Sequence, residues 1–172
     1  MALRFQKCDV SHLEALVRIA RETFVAAFEK DNDPKDFQDY VQKAFDPERI
    51  KRELKNKDSI FYFVYGYQEL VGYFKLNVGD AQTDVHDANS LEIERIYVLE
   101  AHQGKNLGSL MLAKIQELVR ELDKEYVWLG VWERNLGAIR FYQRHGFQKF
   151  GEHPYYIGRD RQTDWLLRLN VQ

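Results

Sequence analysis

One segment of the sequence could bind an anionic group through its backbone. Residues 94–109, Glu-Arg-Ile-Tyr-Val-Leu-Glu-Ala-His-Gln-Gly-Lys-Asn-Leu-Gly-Ser, are typical of a strand, a short loop and the start of a long helix. Unpaired amides and the dipole at a helix N-terminus attract anions, and Gly108 lacks a Cβ that would keep a diphosphate away from the backbone. The segment is neither a P-loop nor a dinucleotide fingerprint, because the glycine spacing of both is absent. A plain strand-to-helix turn is the alternative.

Two carboxylates lie on the strand that leads into this loop. Glu92 and Glu94 are two residues apart, so their side chains share one side of the strand. They belong to an acidic stretch, since residues 61–100 carry two basic and seven acidic side chains, whereas residues 101–172 carry eleven basic and eight acidic ones. The division favours a protein that holds a cationic and an anionic ligand side by side. Chance scatter of charges over solvated faces is the alternative.

Hydrophobic periodicity predicts the elements that must position these groups. We expect strands over 3–8, 60–67, 70–77, 90–98, 126–131, 147–151 and 163–169, and helices over 11–28, 35–45, 47–55, 104–123 and 135–145. The sequence predicts one α+β domain over residues 1–172 with a mixed sheet.

Local signals support several of the predicted boundaries. The pattern from Ser11 to Glu14 has the form of a capping box. Pro34 and Pro47 suit the first turns of helices, and Gly146 suits a helix C′ position. Residues 79–89 are polar and rich in aspartate, so we expect a solvated loop there. A second loop, containing Pro154 and Gly158, is expected between the last two strands.

Two segments together resemble the GNAT (GCN5-related N-acetyltransferase) superfamily. Its acetyl-CoA motif, Gln/Arg-x-x-Gly-x-Gly/Ala, matches Gln103 to Gly108, except that Asn106 replaces the middle glycine. Its later motif, Asn-x-x-Ala-x-x-Phe-Tyr-x-x-x-Gly-Phe, is complete from Asn135 to Phe147. Residues 90–97, 128–133 and 162–164 further resemble PaiA-type spermidine/spermine N-acetyltransferases. The resemblance implies the GNAT fold, with a mixed central sheet splayed between strands 4 and 5 and flanked by helices.

The resemblance also implies where acetyl-CoA, the co-substrate, would bind. The diphosphate would bind the loop and first helical turn, which here are Gln103, Gly104, Lys105, Asn106, Gly108 and Ser109. Asparagine tolerates left-handed backbone angles better than most residues, so Asn106 suits a glycine position. The backbone of Ile96, Tyr97 and Val98 would pair with the pantetheine arm, and the side chain of Asn135 would hold that arm. An N-cap for the following helix is a second, compatible role for Asn135.

Two catalytic residues follow from the same resemblance. Tyr142 matches the general acid that protonates the departing thiolate, and a phenol with an ordinary pKa of about 10 stays protonated at neutral pH. Glu94 matches a carboxylate that takes the proton of the amine through water, with Glu92 as its competitor. Ion pairs with Arg95 or Lys75 are the structural alternative for both glutamates. A core tyrosine is the alternative for Tyr142.

The first helix and the helix after Asn135 carry further candidates for ligand contact. Glu22, Glu29, Asp31 and Asp33 could bind a cationic polyamine, and Arg140 and Arg144 could meet the 3′-phosphate of CoA. Exposed helix charges are the commoner explanation for both sets.

Composition limits the remaining function classes. The net charge of −2 gives no global reason to bind nucleic acid or an acidic membrane. One cysteine, Cys8, excludes a disulfide framework, and the histidines have no ligand spacing, so no metal is expected. The chain has no signal-peptide pattern or apolar run long enough to span a bilayer, so a cytoplasmic protein is expected.

The function predicted from the sequence is direct transfer of acetyl from acetyl-CoA to a primary amine. The resemblance favours a polyamine such as spermidine or spermine. The alternatives are a GNAT enzyme acting on a protein N-terminus, a lysine or another small amine, and a CoA-binding regulator with little catalysis. A homodimer is one option for the assembly.

Overall fold

The computed structural model describes residues 2–171, which form one seven-stranded sheet with helices on both faces. The strands are β1 (Leu3–Lys7), β2 (Ser59–Gly66), β3 (Glu69–Asn77), β4 (Ser90–Val98), β5 (Tyr126–Trp132), β6 (Gln148–Ile157) and β7 (Asp160–Asn170). The helices are α1 (Leu13–Phe28), α2 (Pro34–Ala44), α3 (Pro47–Lys55), α4 (Leu107–Glu121) and α5 (Leu136–Arg144).

The sheet is mixed, in the order β1-β2-β3-β4-β5-β7-β6. Every neighbouring pair is antiparallel except β4 and β5, which run parallel because α4 crosses over between them. The predicted α+β class and mixed sheet are therefore confirmed.

Strands β4 and β5 separate soon after they begin. They pair only where Ser90–Glu92 faces Tyr126–Trp128, although β4 continues to Val98 and β5 to Trp132. The sheet is therefore splayed between strands 4 and 5, as the family resemblance implied. Beyond Glu92, the edge of β4 that faces β5 has no strand partner among the described residues.

A bulge in β4 changes which way its side chains point. In the pairing with β3, Lys75 faces Arg95 and Leu76 faces Ile93, so Glu94 has no partner of its own. Such an extra residue reverses the alternation of the side chains that follow it. Ile93 and Ile96 therefore pack on the same face, and Glu94 and Arg95 point together to the other.

Two large hydrophobic clusters lie on the two faces of the sheet, and a third, smaller one is formed by Tyr126, Trp128 and Leu166 of β5 and β7. The α4 face packs under α4 and α5, with Met111, Ile115 and Phe147 among its buried residues. The α1 face packs under α1, α2 and α3, with Leu16 and Phe45 buried. Glu94 lies on the α1 face, since its side chain pairs with Lys75, and Lys75 also pairs with Glu53 of α3.

Several predicted boundaries are corrected by the structure. The capping box is formed by Asp9 and His12, not by Ser11 and Glu14, because the hydroxyl of Ser11 is itself bound to the carboxylate of Asp9. Helix α1 consequently begins at Leu13 after a short 3-10 turn.

The prolines and the end of α5 match their sequence signals. Pro34 and Pro47 stand in the first turns of α2 and α3, whose N-caps are Asp33 and Asp46. Gly146, with a φ of +92°, follows the C-cap of α5. These three predictions are confirmed.

The predicted loop between the last two strands is wrong. Strands β6 and β7 remain paired as far as Ile157 and Asp160, and the turn between them is Gly158–Arg159. Gly158 has a φ of +58°, a left-handed angle that suits glycine at a tight turn. The last two strands are therefore longer than their sequence suggests.

Within residues 2–171, no helix is both long enough and apolar enough to cross a membrane.

Candidate active site

A cavity of about 1220 Å³ opens where β4 and β5 diverge. It is lined by the second half of β4, the loop before α4, the end of β5, and parts of α1, α5 and β7. Of the residues predicted to bind acetyl-CoA, only Lys105 is absent from the lining. The others line it together with Glu94 and Tyr142: Ile96, Tyr97, Val98, Gln103, Gly104, Asn106, Gly108, Ser109 and Asn135.

The loop before α4 has the backbone shape of an anion-binding turn. Gly104 has a φ of +80° and Asn106 a φ of +63°, so both adopt left-handed angles. Asn106 is also the N-cap residue of α4, which begins at Leu107 and not at Gly104 as predicted. The expectation that Asn106 tolerates a left-handed conformation is confirmed. The first amides of α4 have no helical partner and stand at the positive end of its dipole.

Packing against α5 also requires a glycine at position 108, in addition to the access that it gives a ligand to the backbone. A Cβ at this position would lie 3.0 Å from Cζ of Phe141 on α5. The adjacent Ser109 Oγ lies 3.0 Å from Nε2 of His145, whose Nδ1 lies 2.9 Å from the carbonyl oxygen of Phe141. The first turn of α4 is thus held against α5, which carries Tyr142.

The free edge of β4 supplies backbone groups to the cavity. Ile96, Tyr97 and Val98 lie beyond the last pair with β5, so their peptide groups on this side have no strand partner. One of them is engaged from within the chain, because Nε2 of Gln103 donates to the carbonyl oxygen of Val98 at 3.1 Å. The edge resembles the rim of an incomplete sheet, which an extended chain could join.

Asn135 and Tyr142 belong to α5. Oδ1 of Asn135 accepts from the amide of Ala138 at 3.3 Å, which confirms its N-cap role. Tyr142 is 9% exposed and lines the cavity, and burial raises the pKa of its phenol. No residue of the described chain makes a hydrogen bond with this hydroxyl, so its proton is available to a ligand.

Glu94 belongs to a buried cluster of four charged side chains. Its Oε1 accepts from Nζ of Lys75 at 2.9 Å, and its Oε2 lies 3.2 Å from Nη2 of Arg95. Glu53 of α3 completes the cluster through Lys75 at 2.8 Å. Burial alone would raise the pKa of Glu94, but Arg95 and Lys75 outweigh it and lower this pKa to about 2. The ion pairs named as the alternative are therefore present. The four buried charges cancel one another, and the exposed Arg49 also pairs with Glu53, at 3.2 Å.

Glu92 is separated from the cavity. It is 3% exposed, and its carboxylate accepts from Asn77 Nδ2 at 3.0 Å and from the amide of Thr83 at 2.8 Å. Burial raises its pKa, against the lowering effect of these hydrogen bonds. Glu92 is absent from the lining, so the structure brings only Glu94 of the two candidates to the cavity.

Of the charged residues predicted to contact ligands from α1 and α5, some line the cavity and others do not. Glu22 lines the cavity and is exposed, whereas Glu29 and Asp31 are exposed outside it. Asp33 caps α2 by accepting from the amides of Lys35 and Asp36. Arg144 lines the cavity, but Arg140 does not.

A further carboxylate that lines the cavity, on the α1 face, was not predicted as a site residue from the sequence. Asp164 of β7 lines the cavity and faces His153 of β6 and Trp132 of β5 in the sheet register. Nε2 of His153 lies 3.7 Å from Asp164 Oδ2, and its Nδ1 lies 2.7 Å from Asp84 Oδ2. Interaction with Asp164 is the main reason that the pKa of His153 is raised to about 9; burial lowers it and Asp84 raises it further.

The loop that contains Asp84 is less solvated than expected. Gln82 is 3% exposed, and its Oε1 accepts from the indole nitrogen of Trp128 at 2.8 Å. Thr83 binds Glu92, and Asp87 accepts from the hydroxyl of Tyr126 at 2.8 Å. The prediction of a solvated loop is therefore wrong for Gln82, whereas Asp80, Thr83 and His86 are exposed as predicted. The only sequence signal was a cluster of hydrogen-bonding residues between two strands.

Across residues 2–171, no three His, Cys, Asp or Glu side chains are grouped closely enough to hold a metal ion.

Comparison with known proteins matches most of the chain. A family model described as the Acetyltransferase (GNAT) family matches residues 13–147. The chain is 42% identical over 156 residues to an uncharacterized N-acetyltransferase of Lactobacillus delbrueckii subsp. lactis, which covers 91% of this chain and 90% of that protein. It is 33% identical over 90 residues to a spermine/spermidine N(1)-acetyltransferase of Bacillus subtilis, covering 52% of this chain and 59% of that one.

A solved structure matches nearly the whole chain. The PaiA N-acetyltransferase of Thermoplasma acidophilum, crystallised in complex with coenzyme A, superposes with a TM-score of 0.78. The match covers 99% of both chains at 18% sequence identity, which shows a common fold.

Proposed function

The chain belongs to the acetyltransferase (GNAT) family, whose co-substrate is acetyl-CoA, and we propose that it acetylates a primary amine of a polyamine such as spermidine or spermine. The observation that carries this proposal is that the turn before α4, the free edge of β4 and the buried Tyr142 line one cavity together with the carboxylates of Glu94 and Asp164. Named relatives that act on spermidine or spermine support the acceptor class.

The residues around the turn fit a long anionic ligand. Gly104, Asn106, Gly108 and the α4 dipole suit the diphosphate, for which Lys105 adds an exposed positive charge. The free edge of β4 suits the amide groups of a pantetheine arm. Gln103 already donates to the carbonyl oxygen of Val98, so its side chain would compete with the arm for that acceptor.

Tyr142 would act where the acetyl group is transferred. Acetyl-CoA supplies an activated acetyl thioester, and transfer forms an N–C bond as the C–S bond breaks. The raised pKa of Tyr142 keeps its proton in place at neutral pH, ready for the departing sulfur. The protonated amine releases one proton to solvent before it attacks. A second proton leaves the nitrogen as the N–C bond forms and restores the hydroxyl of Tyr142 through solvent, so the step balances.

Glu94 fits a positioning role better than direct proton transfer. A carboxylate with a pKa of about 2 is ionised throughout the neutral range and is a weak base. Its two ion pairs hold Lys75 and Arg95 against the α1 face, and Arg95 also lines the cavity. The role of Glu94 as proton acceptor through water stays a prediction.

An amine panel assayed for release of the CoA thiol tests the proposal. We expect spermidine and spermine to be turned over with a higher kcat/KM than a lysine-containing peptide or a peptide with a free N-terminus. Higher kcat/KM for either peptide would refute the acceptor class. Tight CoA binding without turnover of any amine would indicate the regulator instead.

A further inference from the structure

Asp164 has the position and charge to hold a cation in the cavity. Building on the proposed function, we propose that the carboxylate of Asp164 binds an ammonium group of the acceptor on the α1 face. This gives a role to a residue of β7 for which the sequence predicted none, although it lies in the segment 162–164 that carries the resemblance.

The carboxylate of Asp164 is nearly buried but lacks hydrogen-bond donors. Asp164 is 9% exposed and lines the cavity, yet within the described chain its oxygens accept no hydrogen bond shorter than 3.5 Å. Its nearest charged neighbour is His153, at 3.7 Å, which is an ion-pair distance and too long for a hydrogen bond. A buried carboxylate normally has its acceptor sites filled, so this one has capacity for a further donor.

Gly130 keeps the space beside this carboxylate open. It lies on β5 just past the last pair with β4, and it also lines the cavity. A Cβ at this position would lie 3.3 Å from Oδ2 of Asp164 and 3.6 Å from Nε2 of His153. The absence of a side chain therefore leaves room at the point where the two strands diverge.

The charges on the two sides of this space differ. On the β4 side, Glu94 and Glu53 are balanced by Lys75 and Arg95. On the β7 side, Asp164 and Asp84 flank a single imidazolium, so this group carries one net negative charge at neutral pH. Glu22 and Glu100 also line the cavity, but both are exposed, so water screens them more strongly. A cation is therefore attracted most strongly to the side of Asp164.

Calorimetric titration of spermidine into the CoA-saturated protein tests the proposal without requiring turnover. We expect Asp164→Asn to weaken spermidine about tenfold, which corresponds to about 1.4 kcal/mol, with CoA affinity unchanged. The slope of log Kd against log salt concentration should also become smaller, because one ionic contact is lost. A structural defect would not change this slope selectively.

Two further variants sharpen the comparison. Glu152→Gln is the matched control, because Glu152 precedes His153 on β6 but pairs only with Lys149, at 2.7 Å. It should leave spermidine affinity unchanged. Gly130→Ala keeps the charge of Asp164 but fills the space beside it, and should weaken spermidine several-fold even where Asp164→Asn folds poorly.

The outcomes separate this proposal from the function it rests on. Asp164-dependent binding of spermidine without acetyl transfer would support the contact and refute the proposed function. Acetyl transfer with wild-type spermidine affinity in Asp164→Asn would refute the contact alone. Failure of the wild-type protein to bind spermidine would refute the contact as well.

Discussion

The buried charge cluster at Glu94 predicts a stability difference that depends on pH. The pKa of Glu94 is lowered from 4.5 to about 2, chiefly by the charges of Arg95 and Lys75 acting against burial. Each pKa unit corresponds to about 1.4 kcal/mol, so pairing stabilises the fold by about 3 kcal/mol where Glu94 is ionised in both states. Glu94→Gln should therefore unfold about 3 kcal/mol more easily at pH 7.

The sign of the effect follows from the lowered pKa. The stabilisation is complete above pH 4.5, because the folded and unfolded chains are then both ionised. As the pH falls, the unfolded chain takes up the proton first, and the stabilisation is lost towards pH 2. The difference between the wild-type protein and Glu94→Gln should shrink from about 3 kcal/mol at pH 7 to about 1 kcal/mol or less at pH 2.5.

Urea denaturation at a series of pH values measures this difference. Glu14→Gln serves as the control, because Glu14 pairs with Arg18 on an exposed helix surface and should change stability by less than about 1 kcal/mol at every pH. A difference for Glu94→Gln that stays constant from pH 7 to pH 2.5 would refute the reasoning. So would a difference below about 1 kcal/mol at pH 7.

Substitutions at four further positions have defined outcomes. Tyr142→Phe should lower kcat about a hundredfold with little change in the KM for acetyl-CoA, measured by thiol release; unchanged kcat would remove its acid role. Asn106→Gly should retain CoA affinity in a direct titration, whereas Asn106→Ala should weaken it, because alanine disfavours the left-handed angle. Glu92→Gln should cost less stability at pH 7 than Glu94→Gln, as measured by urea denaturation. The pKa of Glu92 is raised in the folded protein, so the stability that this group contributes is present at low pH and is lost as the pH rises. Gly72→Ala should lower the thermal midpoint by several degrees, because its Cβ would lie 2.5 Å from the carbonyl oxygen of Tyr97.

The elements rich in local signals were predicted well. The turn before α4 could be predicted because Gly104 and Asn106 are residue types that allow left-handed angles, and both adopt them. The prolines at the starts of α2 and α3 were equally informative. In each case a short stretch of chain determines its own conformation.

Features that depend on distant partners could not be predicted from the sequence. Pro154 suggested a loop, but it lies in β6, at the edge of the sheet, where a proline breaks no interior ladder. The bulge at Glu94 is defined only by the register with β3, so the sequence of β4 gave no sign of it. The role of Asp84 depends on His153, which lies 69 residues further along the chain.

The short junction between β4 and β5 has a consequence for cooperativity. Three residue pairs join the ladder of β1–β4 to that of β5–β7, so few backbone hydrogen bonds cross the middle of the sheet. The two ladders are natural units for separate local opening, which native-state hydrogen exchange would resolve. A ligand that lies along the free edge of β4 and also contacts β5 would couple the two ladders. Cofactor binding should then merge two exchange units into one, and slow exchange in β6 and β7 as well as beside the ligand.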